Sequence, residues 1–323
     1  MKKITILDTS VGTLNMGDEI IVDSVNRELK KLFKERTMYI KLPTHERISR
    51  YSHRIINDSN FSFVAGTNLL SSKHNLIRGN QWRINLLDAN KFKNVILMGV
   101  GWNNYQDNPN FYTNLVYKKA LTEDYFHSVR DSYTKEKLKS IGITNVHNTG
   151  CPTMWELTKE HCSGIPKKKA ESVVFTLTDY NKNPEKDSKM IEILNKNYNK
   201  VYFWIQGSED YEYVNSLSNS VIFVNPTLRS YDDLLESDED LDYVGTRLHA
   251  GIRAMQKKRR SIIIGIDNRA LEKQKDFSIN VLERDDISNL EVLINNDILT
   301  DINLNMDSIN AWREQFFTHE SLV

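Results

Sequence analysis

Apolar positions along this chain alternate between short runs at strand spacing and longer stretches at helical spacing, and that alternation predicts its fold. Residues 3–8 read as a first strand. Residues 17–33 then place Ile21, Val25, Leu29 and Leu32 on one helical stripe. Further β-like runs occupy 61–65, 94–99, 126–129 and 145–148, with helical stretches at 81–91, 112–122 and 132–140. The last helix has Asp131 or Ser132 as its cap and Gly142 as its stop.

The rhythm lapses over residues 151–169, where Cys-Pro, Cys-Ser-Gly, Pro166 and three consecutive lysines predict a linker. A second set then begins, with strands expected at 172–177, 201–205, 221–224, 241–244, 261–266 and 279–282. An amphipathic helix over 306–317, with Ile309, Trp312 and Phe316 in helical spacing, closes the chain. Strands alternating with helices in this way predict parallel, doubly wound sheets. The expected architecture is α/β, two Rossmann-like domains in a glycosyltransferase-B-like arrangement. Their expected bounds are 1–157 and 168–323, the terminal helix belonging to the second.

Composition narrows the function. Forty-three basic residues balance forty-three acidic ones, so no global field draws the protein to nucleic acid or an anionic membrane. The longest apolar runs, such as 95–100 and 262–266, are too short to span a bilayer, and Met-Lys-Lys leads straight into a strand. A cytoplasmic location is expected, and with it Cys151 and Cys162 as thiols. No zinc-type motif and no full dinucleotide or Walker spacing is present, which disfavours metal, nicotinamide and ATP sites.

Ligands of open parallel sheets bind beyond the carboxyl ends of the strands. The unusual loops lie there: 11–18, 66–70, 99–104, 130–131 and 150–152 in the first half, and 176–179, 206–208, 225–227, 245–249 and 265–268 in the second. If the two rims face each other they line one cleft. The most informative loop is Gly245-Thr246-Arg247-Leu248-His249, a fixed cation and a titratable imidazole at a helix start, a place suited to phosphate. If 246–256 is helical, Leu248, Ile252 and Met255 share one face and His249, Arg253 and Gln256 another. An ordinary surface helix would carry the same Arg-x-His pair.

At the first helix start, Asn15 could bond a sugar hydroxyl or a phosphate, Gly17 permits close approach, and Asp18 serves either a ligand or the helix end. Arg130, at a strand end, is an anion clamp or the partner of a carboxylate such as Asp131. Gly66 with Asn68, and Gly99 with Gly101, resemble phosphate loops only weakly; His74 and Arg78 follow the first of them. Trp82, Trp102, Trp155 and Trp204 are stacking platforms for sugar rings or core residues.

Taken in order, Asn-x-Gly-Asp at 15–18, Gly-x-x-Leu-Leu at 66–70, the Gly99 to Gly101 turn, Ser-Val-Arg-Asp-Ser-Tyr at 128–133, Gly-Cys-Pro-Thr at 150–153 and Gly-x-Arg-Leu-His at 245–249 resemble the polysaccharide pyruvyl transferase family. The resemblance implies a glycosyltransferase-B-like fold. It also implies transfer of the carboxyethylidene unit of phosphoenolpyruvate onto two hydroxyls of a sugar as a ketal. Arg247, Leu248 and His249 would serve phosphoenolpyruvate binding and catalysis, with His249 as general acid and base, and Arg130 would be a second clamp. No metal or redox cofactor is implied. The acceptor would be a saccharide or lipid-linked saccharide held on the first domain's side, the latter bringing the enzyme to a membrane surface. Two departures stand out: Thr67 where the family often has Gly, and Lys258-Arg259-Arg260-Ser261 where it usually has Pro before a strand. Acceptor sugar, linkage and oligomeric state do not carry over. The rival expectations are a glycosyltransferase using a nucleotide sugar and a non-catalytic carbohydrate-binding relative.

Overall fold

The computed structural model describes residues 1–34, 36–74 and 81–317, apart from the side chains of Asn268 and Arg269. The chain forms two compact units. One comprises Met1–Thr13, Ile21–Trp155 and Leu304–Val323; the other comprises Leu14–Ile20 and Glu156–Asn303.

In the first unit the elements run β1 (Lys2–Asp8), α1 (Gly17–Leu32, its first turn counted with the second unit), β2 (Thr37–Pro43), α2 (Arg50–Asp58), β3 (Phe61–Ala65), α3 (Leu86–Ala89), β4 (Val95–Met98), α4 (Phe111–Ala120), β5 (His127–Val129), α5 (Ser132–Ser140) and β6 (Val146–Asn148). The strands are parallel, ordered β2-β1-β3-β4, with β5-β6 as a second pair. Gly99 N–H donates to Ser128 O at 2.9 Å and Val100 bridges Val129, so β5 continues the sheet beyond β4. Strands β3 and β4 are buried at every position, as expected of parallel strands covered on both faces. Strand β2, by contrast, is a half-exposed edge, and its mixed pattern is why the sequence rhythm passes over it.

The seam between β4 and β5 uses an imidazole in place of a peptide carbonyl. His127 is fully buried; its Nδ1 accepts the Leu97 N–H at 3.1 Å, and its Nε2 faces Thr122 O at 2.9 Å, which assigns the proton to Nε2. Burial lowers the His127 pKa from 6.5 to about 4. A folded-state pKa below the unfolded value means that the unfolded chain binds the proton first as pH falls. The neutral ring's contribution is therefore present above pH 6.5 and is lost between about pH 6.5 and 4, a change of about 3 kcal/mol. Urea unfolding at pH 7 and pH 4.5 checks this: the parent protein is expected to lose more stability on acidification than His127→Gln. Equal slopes would remove His127 as the source.

A 3-10 turn at Pro152–Met154 ends this run of the first unit; in the second unit helix α6 (Lys159–Ser163) leads into β7 (Ser172–Thr176), α7 (Pro184–Asn197), β8 (Lys200–Trp204), α8 (Asp210–Leu217), β9 (Ile222–Val224), α9 (Leu228–Leu235), β10 (Leu241–Gly245), α10 (Leu248–Gln256), β11 (Ser261–Gly265), α11 (Asn268–Phe277), β12 (Val281–Glu283) and α12 (Leu290–Asn295). The all-parallel order is β12-β11-β10-β7-β8-β9. Its strand order reverses between β7 and β10, the topological switch point where such sheets bind ligands. Strands β7 and β10 are wholly buried.

Three expectations need correction. The terminal helix α13 (Met306–Glu314), assigned from sequence to the second half, buries Ile309, Trp312 and Phe316 among Phe33, Phe61 and Phe63 of the first unit, and Arg313 pairs with Glu28. The expected linker is not a bare connector: it carries the 3-10 turn and α6, with Cys151, Trp155 and Cys162 buried. The expected helix at 81–91 shrinks to α3, because the Asn85 side chain accepts the amides of Leu87 and Asp88 and so sets the start at Leu86. Both cysteines are free thiols. No helix among the described residues is long and apolar enough to cross a membrane.

Candidate functional site

The Gly-Thr-Arg-Leu-His loop joins β10 to α10, at the switch point of the second unit. Its backbone is held from below. Thr246 N–H donates to Thr176 O at 3.0 Å, and the buried Tyr243 hydroxyl donates to Arg247 O at 2.8 Å. Arg247 is the N-cap of α10 and makes no side-chain cap bond, so its guanidinium is available for other contacts. Leu248 is buried as an apolar anchor, and His249, on the first turn of α10, is 8% exposed.

Arg247 is not a solitary cation. Its Nε donates to Leu177 O at 2.8 Å, and its Nη2 donates to Asp210 Oδ1 at 2.7 Å and Asp179 Oδ1 at 2.9 Å. Nη1 has no hydrogen-bonding partner among the described residues. The Tyr180 ring lies over the guanidinium, 5.3 Å from Cζ to centroid. Asp210 is fully buried at the start of α8, and its second oxygen accepts the amides of Gln206 at 3.1 Å and Gly207 at 2.6 Å. Burial raises the Asp210 pKa, against the opposing pull of Arg247 and the Gly207 amide. Gly207 is required by this packing, since a Cβ there would lie 2.4 Å from both Arg247 Nη2 and Asp179 Oδ2.

The Asn15 segment belongs to the same cluster. Asn15 bridges Gly207, Met16 N–H donates to Gln206 O at 2.9 Å, and Asn15 Oδ1 accepts both Gly17 N–H at 3.0 Å and Gln206 Nε2 at 2.8 Å. Gly17 thus makes room for Gln206 and Asp18 lies in the first turn of α1, so this segment serves the loop after β8 directly. The structure brings Asn15, Gly17, Asp18, Gly245, Thr246, Arg247, Leu248 and His249 together in one unit. Asp179, Asp210 and Gln206 complete the group, and the sequence reading did not single them out. A signal for the two carboxylates existed: an arginine at a strand end needs a partner, and both lie in or just beyond loops expected at the same rim.

The other candidates lie in the first unit. Gly66 and Gly99 take positive φ at the ends of β3 and β4. Thr67 does so too, with φ 53°, a strained conformation for a β-branched residue, at the position where the family often has Gly. Asn68 Oδ1 is buried without a hydrogen-bond partner among the described residues. Arg130 is 2% exposed; its Nε pairs with Asp131 at 3.0 Å while Nη2 is buried with no hydrogen-bond partner among the described residues. The expected carboxylate partner of Arg130 is therefore Asp131. Gly101 admits it, because a Cβ there would lie 2.0 Å from its Nε. His74 is buried and its pKa is lowered by that burial; Nε2 lies 2.5 Å from Ile84 O, the arrangement of a neutral core histidine. Arg78 lies outside the described residues. Trp82, Trp102, Trp155 and Trp204 are all buried, so none is a sugar platform.

A model of the polysaccharide pyruvyl transferase family matches residues 15–268. Among solved structures, the fold is similar to that of S. aureus MnaA in complex with UDP, with a TM-score of 0.52 and 10% identity over 97% of this chain and 91% of that one. It is also similar to a UDP-GlcNAc 2-epimerase from Neisseria meningitidis bound to UDP-GlcNAc, with a TM-score of 0.47 and 11% identity over 100% and 99% of the two chains. At such identity the first likeness shows the fold alone: the chain is of the glycosyltransferase-B class. Among curated proteins, none matches the chain.

Proposed function

Because this chain belongs to the polysaccharide pyruvyl transferase family, we propose that it transfers the carboxyethylidene unit of phosphoenolpyruvate onto two hydroxyls of a sugar in a cell-surface glycan or its precursor. The observation that carries this reading is the intact Arg-Leu-His triplet at the topological switch point, with its arginine fixed by two carboxylates. A guanidinium held in this way needs no reorganisation when a ligand arrives. Arg247 offers Nη1, and the first turn of α10 offers backbone amides, to the donor's phosphate or carboxylate. Arg130, whose Nη2 has no hydrogen-bond partner among the described residues, is a further cation suited to an anion.

The chemistry divides into proton transfers that one imidazole can perform. His249 donates a proton to the methylene carbon, which becomes the methyl group and leaves an oxocarbenium centre at C2. One sugar hydroxyl attacks C2 and gives up its proton. The C2–O bond to phosphate then breaks, phosphate leaves with a proton, and the second hydroxyl attacks C2, losing its own proton as the ketal closes. The route as written uses no metal and no redox cofactor. Positioned proton transfer of this kind contributes about 10²- to 10⁴-fold.

Thermal unfolding in the presence of phosphoenolpyruvate or of UDP-GlcNAc tests the donor. Phosphoenolpyruvate is expected to raise the melting temperature in a concentration-dependent way, and UDP-GlcNAc to leave it unchanged. The reverse result would replace this reading with a nucleotide-sugar transferase.

A further inference from the structure

The loop between β4 and α4 is tied down at its backbone and buries Val100 and Trp102, yet leaves Asn104, Tyr105, Asp107 and Asn108 exposed. Trp102 N–H donates to Thr134 Oγ1 at 2.9 Å and Asn103 N–H to Leu70 O at 2.7 Å. Gln106 N–H donates to the Tyr133 hydroxyl at 2.7 Å, while that hydroxyl and Lys137 Nζ both donate to Gln106 O, at 3.1 and 2.6 Å. Gln106 Oε1 accepts Ser72 N–H at 2.6 Å, and Asp107 O accepts the Ser72 hydroxyl. A loop with so many fixed points is rigid, and Asn104 within it takes φ 59°.

Beside it lies a hollow of ≈ 530 Å³ lined by Lys73, Tyr105, Gln106 and Asp107, within the ~300–1,000 Å³ usual for small-ligand sites. Tyr105 is 55% exposed and stands edge-on against Tyr133, with ring centroids 5.0 Å apart at 88°, so its orientation is set. The Asp107 carboxylate and Lys73 ammonium are exposed, and neither has an ion pair or side-chain hydrogen bond among the described residues. The loop follows the carboxyl end of β4, the same end of the sheet as Gly101 and Arg130.

We propose that this hollow is a saccharide subsite for the acceptor, with Tyr105 as the platform under one pyranose ring and Asp107 and Lys73 as its hydroxyl partners. The inference rests on the pyruvyl-transfer reading for the word acceptor, though not for the binding itself. The chemistry selects the ligand class. Among the described residues the lining carries one carboxylate and one ammonium, both of which pair with hydroxyl groups. A single aromatic ring is too little apolar surface for a lipid chain. A pyranose fits both features, presenting a face of C–H groups to an aromatic ring and a rim of hydroxyls that donate to a carboxylate and accept from an ammonium. The buried tryptophans cannot supply that platform; an exposed tyrosine held by its neighbour can.

Saturation-transfer NMR with methyl β-D-galactopyranoside, methyl β-D-glucopyranoside and methyl N-acetyl-β-D-glucosaminide, without phosphoenolpyruvate, tests the subsite in the full chain. The parent protein is expected to transfer saturation to the ring protons of at least one glycoside. Tyr105→Ala and Asp107→Asn should each weaken that binding by at least about fivefold, and Tyr105→Phe should retain it. All these positions are exposed, and unchanged melting temperatures verify the fold. No transfer to any of the three glycosides, or equal binding by parent and both weakening variants, overturns the subsite. The same samples are titrated with phosphoenolpyruvate. Glycoside binding lost in the variants without any phosphoenolpyruvate shift in the parent would leave the subsite standing and sink the donor reading alone.

Discussion

Replacing Asp210 by Ala is expected to cost about 3–5 kcal/mol of stability, measured by urea unfolding, because it strips a buried cation of one partner and leaves two buried amides without an acceptor. The geometry behind this figure is the convergence of Arg247 Nη2, Gln206 N–H and Gly207 N–H on one fully buried carboxylate. Arg247→Ala should destabilise the same cluster from the other side. The double variant should then lose clearly less than the two single losses added together, since each deletion leaves unpaired what the other also removes. Additive losses, or a cost for Asp210→Ala below about 1 kcal/mol, would mean that the carboxylate does not hold the loop. Asp210 is a positioning residue on this account. It fixes the fork of Arg247 and joins the loop after β8 to the loop after β10.

His249→Gln is expected to lower kcat by at least about 10²-fold while phosphoenolpyruvate still binds. A proton donated in the transition state affects turnover more than ground-state affinity. Glutamine keeps a hydrogen-bonding side chain of comparable reach at a site only 8% exposed, so the fold should survive. Phosphate release with the true acceptor, alongside calorimetric titration of phosphoenolpyruvate, separates the two effects. Turnover near that of the parent protein would reduce His249 to a positioning role. His74 would not be its replacement: its Nε2 is bonded to Ile84 O and burial lowers its pKa.

The sequence pattern by itself determined the α/β class, the second set of strands to within a few residues, and the place of the Arg-Leu-His triplet at a strand-to-helix junction. Period-two and period-3.6 burial are local consequences of strand and helix geometry, and buried parallel strands such as β3, β7 and β10 announce themselves as continuous apolar runs. Edge strand β2 does not, because half of it faces water. Which unit a helix joins is a different matter. The stripe Ile309, Trp312, Phe316 says that α13 must bury a face, and only the tertiary structure decided that Phe33, Phe61 and Phe63 receive it. The same holds for the candidate site. Arg247 could be read from the chain as a cation at a strand end, but its partners Asp179 and Asp210 stand 68 and 37 residues away in sequence, and nothing local links them. The four tryptophans were open from sequence to the core or to a sugar ring, and packing placed all of them in the core while leaving Tyr105 exposed. Local pattern settles what a segment must bury; which distant groups meet it depends on strand order, and strand order is a property of the whole sheet.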